Sequence, residues 1–211
     1  MAPMSDPVST GVAALDRKLG GGIPPGTLVA LLAEPASQAE LFLTNVACQR
    51  ETVYLTPERT PTAVSAALRE RHGDCDDVAV TALDRDAPVA DAVQYVERLP
   101  DESVLVVDPV GPLERVDSGQ FRAFLTTLRA QLSRTDGVAV LHGLKHEAVP
   151  AQRHRTEYMA DLVFDVVTDA DAGGIETLLL VPKFRGGAAL TEPVRIELTD
   201  RIAVDTSRDI A

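Results

Sequence analysis

Residues 31–42, LLAEPASQAELF, join an apolar strand-like run to an apolar helical one. At such a junction a strand–loop–helix unit can aim backbone amides at a phosphate. A loop built for that task reads G-x-x-x-x-G-K-[ST]: the glycines let the backbone wrap the phosphates, the lysine reaches the β/γ oxygens and the hydroxyl holds Mg²⁺. On that frame the chain offers Ala33, Glu34, Pro35, Ala36, Ser37, Gln38, Ala39 and Glu40. Ala33 and Gln38 stand at the fixed glycines, Ala39 at the lysine and Glu40 at the hydroxyl. No other G-x-x-x-x-G-K stretch occurs in the chain.

The replacements have a pattern of their own. Ser37-Gln38-Ala39-Glu40 fits the capping box S-x-x-E ahead of an apolar helical run. Its two reciprocal bonds would occupy helix N-terminal donors that a phosphate otherwise uses. A carboxylate at Glu40 also opposes an incoming phosphate: at ~5 Å and an effective dielectric of ~20, each unit of repulsion costs roughly 3 kcal/mol. We expect a loop closed to ATP.

Other residues could carry chemistry. HGLKHEAVPAQRHR, residues 142–155, gathers three of the four histidines and the basic residues Lys145, Arg153 and Arg155 in an otherwise acidic chain. Contact with a partner, anion binding and a plain solvated loop all fit. His142, His146 and His154 lack a firm metal-ligand pattern, so no metal is expected there. Cys48 and Cys75 form no C-x-x-C pair and have no metal spacing, and are expected as reduced, structurally neutral thiols.

The elements that must position these groups follow from periodicity. Apolar runs at 27–33, 52–56, 78–83, 103–109 and 137–144 read as strands, with helices at 37–49, 60–72, 88–99 and 120–132 between them. Strands separated by helices require right-handed crossovers and a parallel sheet covered on both faces. Beyond residue 160 the runs DLVFDVVTDA, IETLLLVPKFR, VRIELTD and IAVDT follow one another without helices, which implies an antiparallel extension of the sheet.

The chain has 211 residues, enough for one well-buried domain. Thirty-two acidic residues face 20 basic ones, and only Lys18, Lys145 and Lys183 are lysines. An acidic, lysine-poor surface suits a protein kept soluble in very high salt and argues against non-specific nucleic-acid binding. No apolar run approaches membrane-spanning length and the N-terminus has no signal-peptide pattern, so a cytoplasmic protein without membrane insertion is expected.

Four stretches, taken in order, resemble RecA-superfamily proteins of the KaiC and RadA type. TGVAALDRKLGGGIPPGTLVAL is similar to the signature that leads into the first core strand. TVYLTPER resembles the second strand, SVLVVDPV the Walker B strand, and LVPKFRGG the Lys-x-Arg-Gly motif of KaiC. The tail VDTSRDIA is similar to those of small KaiC-like, transducer-like proteins of halophilic archaea. The resemblance implies an α/β fold of the RecA-like three-layer α-β-α kind, with a mostly parallel central sheet and antiparallel C-terminal strands. It covers a single domain over residues 9–206, between a flexible N-terminus at 1–8 and a tail at 207–211.

It also implies roles. Glu58 falls at the catalytic carboxylate and Asp108 at the Walker B aspartate, both vestigial if no triphosphate binds; a carboxylate merely capping a buried strand is the other reading of Asp108. Lys183 and Arg185 fall where KaiC-like subunits reach a neighbour's γ-phosphate, or else they solubilise a sheet edge. The expected function is a non-hydrolysing regulatory or scaffold module, a pseudo-ATPase without cofactor, acting through protein contacts in signal transduction. Its expected partner is a protein, such as an active RecA/KaiC-like homologue. Such domains form rings or filaments, and a monomer is the alternative when no nucleotide bridges subunits. Two other functions stand beside this one: an atypical ATP-binding switch or ATPase using Mg²⁺, Glu58 and Asp108, and a DNA-associated accessory protein using the basic segment.

Overall fold

Parallel neighbours need a crossover, usually a helix, whereas strands joined by short turns pair antiparallel. The computed structural model, which describes residues 5–73, 75–145, 148–171, 174–187, 190–198 and 202–204, contains both regimes in one sheet. In chain order the elements are α1 (Ala13–Lys18), β1 (Leu28–Ala33), α2 (Glu40–Ala47), β2 (Thr52–Thr56), α3 (Pro61–His72), β3 (Val78–Ala82), α4 (Pro88–Val96) and β4 (Val104–Val107). They continue with α5 (Gly111–Glu114), α6 (Ser118–Thr135), β5 (Val138–Leu144), α7 (Arg153–Met159), β6 (Leu162–Asp171), β7 (Gly174–Phe184), β8 (Val194–Leu198) and β9 (Ile202–Val204). The sheet order is β3-β2-β4-β5-β1-β6-β7-β8-β9. Pairs from β3 through β6 are parallel, and β6 to β9 run antiparallel. This is the expected α/β architecture.

Alternation along each parallel strand divides the core in two. Val104 and Val106 of β4 join Val138 and Val140 of β5 beneath α2 and α3, with Leu41, Leu43, Val64 and Leu68. Leu105 and Val107 face the other way with Ala139 and Leu141, beneath α4 and α6, with Val89, Ala92, Phe121 and Phe124. Side chains therefore fill both sides of the sheet, giving three layers. The helix starts follow local chemistry. Thr60 caps α3 by accepting from the Ala63 amide, with Pro61 in the first turn, and Asp117 caps α6 by accepting from Gly119 and Gln120. Among the described residues, no helix is long and apolar enough to cross a membrane.

The sequence reading needs four corrections. The helix expected over 37–49 begins only at Glu40. The short helices α1, α5 and α7 were not anticipated, and α7 occupies part of the segment expected as a basic loop. Residues 5–8, expected outside the domain, are tied to it: Val8 pairs with Ile23, and the Asp6 carbonyl accepts from Arg50. Residues 1–4 and the tail 207–211 lie outside the described residues. The cysteines, expected as free thiols, form a Cys48–Cys75 disulfide.

The STGVAALDRKLGGGIPPG stretch is held by one carboxylate. Asp16 accepts from the Ser9 hydroxyl at 2.6 Å, the Thr10 amide at 2.8 Å and the Thr10 hydroxyl at 2.6 Å. Its own carbonyl accepts from Gly21 at 2.7 Å. Gly22 then turns at φ +131°, where a Cβ would lie 2.5 Å from the Val8 carbonyl oxygen. The motif thus ties residues 8–10 to residues 16–23 ahead of β1. Asp16→Ala should lower the unfolding free energy by roughly 2 kcal/mol, since several hydrogen bonds to one charged group are lost together. Equilibrium denaturation checks this.

Candidate functional site

Three polar side chains meet on the α2–α3 side of the sheet because period two puts them there. Tyr54 on β2 shares the face of Thr52, Asp108 continues the face of Val104 and Val106, and His142 continues that of Val138 and Val140. Their strands are neighbours in the order β2-β4-β5, so the three groups line up across the carboxyl ends. The Tyr54 hydroxyl donates to Asp108 Oδ2 at 2.6 Å, and His142 Nδ1 lies 2.6 Å from Asp108 Oδ1. Arg59 approaches Oδ2 at 3.9 Å from the loop after β2. Asp108 is 4% exposed and His142 is 2% exposed.

Burial is the largest influence on Asp108 and by itself favours the neutral acid. The hydrogen bond and charge of His142, the Tyr54 hydroxyl and the Arg59 guanidinium outweigh it, and the carboxyl sits below its ordinary value. Burial, and then the Asp108 charge and hydrogen bond, push the Tyr54 phenol well above its ordinary value. With Asp108 ionised and accepting, His142 carries its proton on Nδ1. Its Nε2 is buried without a hydrogen-bond partner among the described residues, as is Ser37 Oγ in the loop.

That loop does not form the capping box. Ala39 stands at the helix N-cap with no side-chain bond, while the Ser37 amide donates to the Glu34 carbonyl at 2.9 Å in a turn. The turn carries the chain past the position where Ser37 would have had to cap. Ala33 ends β1 and pairs with Leu144. Ala36 and Gln38 are exposed, and Ala39 is buried. Glu40 instead lines a crevice of about 110 Å³ between α2 and α3, with Thr44, Tyr54, Arg59 and Arg71. A carboxylate therefore faces the approach to Tyr54, and its charge helps keep the phenol protonated.

Other expected residues lie elsewhere. Glu58 is exposed in a separate cleft of about 550 Å³ with Arg85, Asp86 and Arg115. Of the trio Lys145, Arg153 and Arg155, the first two line one cleft of about 570 Å³ with Glu34 and Glu157, and each of the three has a partner within the protein. Arg153 is buried on Glu114, with Nε 2.9 Å from Oε1 and NH2 2.9 Å from Oε2, and Thr156 donates to the same carboxylate. Gly143 makes the passage: a Cβ there would lie 2.7 Å from Arg153 Cζ. Lys145 pairs with Asp165 and donates to the Val166 carbonyl, and Arg155 bonds Gln152. His142 and His154 are not brought together, since His154 is exposed and bonds the Ala151 carbonyl; His146 lies outside the described residues.

Lys183 and Arg185 do more than solvate an edge. Lys183 Nζ donates to the Glu157 and Tyr158 carbonyls at 2.7 Å each, and Arg185 donates to the Tyr158 carbonyl at 2.9 Å. Both cations lie 5.8 Å from the Tyr158 ring centroid, and Tyr158 is 72% exposed. They satisfy carbonyls at the C-terminal end of α7, where positive charge is favourable. Partial burial, followed by the neighbouring Arg185 charge, lowers the Lys183 pKa.

The sequence reading missed His142 and Tyr54 as partners of Asp108. The signal was present: polar residues at core-facing positions of buried runs are exceptions that need partners.

Residues 7–211 match a family described as a family of unknown function, DUF7125. No curated protein matches the sequence. Among solved structures the chain is similar to the KaiC-like protein PH0186 from the hyperthermophilic archaeon Pyrococcus horikoshii OT3. The TM-score is 0.76 at 17% identity, covering 96% of this chain and 100% of that one. Since 634 solved chains match, the likeness identifies a widely used architecture and no activity.

Two outcomes test these interactions. Arg153→Met should cost about 3–5 kcal/mol of stability in equilibrium denaturation, because it strands the Glu114 charge. Asp108, whose folded pKa is depressed, contributes stability that is present above the unfolded value of about 3.9 and is lost as pH falls through the folded value. Melting temperatures of the wild type should therefore fall more steeply below about pH 4 than those of Asp108→Asn.

Proposed function

We propose a function for a chain that belongs to DUF7125, a family of unknown function: it is a non-hydrolysing RecA/KaiC-like regulatory or scaffold module that acts through protein contacts in signal transduction. The observation that carries this reading is the occupation of Asp108. At the end of β4 in this fold a carboxylate free to orient Mg²⁺ or its water is what hydrolysis needs. Here its two oxygens are engaged by Tyr54 and His142 inside the core. The neighbouring loop supports the same reading. Ala39 offers no ammonium to a phosphate, Glu40 offers a like charge, and the positions of the fixed glycines carry Ala33 and Gln38.

The contact surface is proposed at Tyr158. An exposed aromatic ring flanked by Lys183 and Arg185 has the composition of an interface anchor. The bonds of both cations to their own α7 favour a docking patch over fingers extended to a neighbour's phosphate, and an acidic face of a RecA/KaiC-like homologue fits it. The acidic, lysine-poor composition supports a halophilic cytoplasm as the setting, so the test belongs in high salt.

Calorimetry of the full chain with ATP and ADP, in multimolar KCl with Mg²⁺, should show no binding up to millimolar ligand. Saturable micromolar binding would overturn the proposal and make the protein a nucleotide switch. The combined variant Ala33→Gly, Ala36→Gly, Gln38→Gly, Ala39→Lys and Glu40→Thr should gain ATP binding without hydrolysis, since Asp108 stays engaged.

A further inference from the structure

The chain's two cysteines, far apart in sequence, meet a histidine in space. Cys48 is the C-cap residue of α2, His72 ends α3, and Cys75 lies just before β3. The two Sγ atoms and an imidazole nitrogen all lie within 4.8 Å of one another. Cys48 and Cys75 are disulfide-bonded across 27 residues, with Cα atoms 5.1 Å apart. Cys75 is buried, Cys48 half-buried and His72 exposed.

We infer that Cys48, His72 and Cys75 form a redox-gated zinc site: an empty disulfide when oxidised, a Zn²⁺ centre when reduced. The donor set decides the metal class. Two thiolates and one imidazole are soft to borderline ligands, which suit Zn²⁺ and exclude Mg²⁺ and Ca²⁺. Three protein ligands leave the fourth tetrahedral position to water, and the exposure of His72 gives solvent access to it. The placement favours a cation as well, since Cys48 and His72 both lie at helix C-termini, where unsatisfied carbonyls concentrate negative potential. A third contribution is the chain's net charge of −12.

The chemistry balances with one external reductant. A cellular dithiol passes two electrons and two protons to the Cys48–Cys75 bond, yielding two thiols and becoming a disulfide itself. Zn²⁺ then displaces both thiol protons to solvent, and His72 donates a ring lone pair. The disulfide and the metal are mutually exclusive, because both use the same sulfur electrons. The inference does not rest on the function proposed above.

The test uses the full chain, reduced with a phosphine, desalted anaerobically and titrated with Zn²⁺ against a chromophoric chelator. The reduced chain should take up one Zn²⁺, and Co²⁺ in its place should show a thiolate charge-transfer band. The oxidised chain should take up none, which serves as a control without any substitution. His72→Ala, a change at an exposed residue, should weaken uptake by at least ~100-fold, above the loss usual for outer-shell partners. Cys48→Ser should abolish it. Uptake that is absent in the reduced chain, equal in the oxidised chain, or unchanged in His72→Ala would overturn the site.

Discussion

A buried carboxylate cannot be left alone in a sheet core, and Asp108 shows how this protein meets that constraint. Removing an ion from water carries a penalty of several kcal/mol that only close, well-aimed partners offset. Those partners come from the strands on either side, Tyr54 from β2 and His142 from β5. The three strands therefore have their carboxyl ends fixed together by side chains as well as by the backbone ladder. The Val110 amide, donating to the His142 carbonyl at 2.8 Å, continues the tie beyond the strand. The turn into α5 starts from this fixed row.

The same principle recurs at Glu114 and Asp161. Glu114, fully buried, is held by Arg153 and Thr156, which fastens the short α5 to α7. Asp161, just before β6, accepts from the Leu28 amide and from Arg129, joining the start of β1 to α6 and to the entry of β6. In an acidic chain the basic residues are scarce, and several of those few neutralise buried or half-buried carboxylates. That leaves little positive charge for binding an anionic ligand through the segment 142–155. It also explains why the cations at Tyr158 stand out on the surface.

Around this frame the loop that joins β1 to α2 carries no glycine and no lysine. The backbone turn at 34–39 and the start of α2 at Glu40 remain, because the β1–α2 crossover needs a connection there. Nothing in the crossover requires glycine, lysine or a metal-binding hydroxyl. A fold can thus keep a connection whose side chains are free to vary.

The sequence alone determined the alternation of strands and helices, the antiparallel C-terminal extension and the residue types at the loop, since each depends on local periodicity or on identity at a known spacing. Those features were legible, and the architecture agrees with them. Tertiary structure alone decided which side chains meet. Asp108 and His142 are 34 residues apart, and only the strand order β2-β4-β5 makes them neighbours. Cys48 and Cys75 have no motif spacing, and only the packing of α2 and α3 against the sheet brings them together with His72. For Arg153 the sequence leaves partner contact, anion binding and a solvated loop all open, and only the fold, with Gly143 clearing the path, sets it against Glu114. The capping box does not form because Ser37 lies in a turn closed on Glu34 and the helix N-cap falls at Ala39. Periodicity fixes the face a residue occupies, and the order of strands fixes what it meets there.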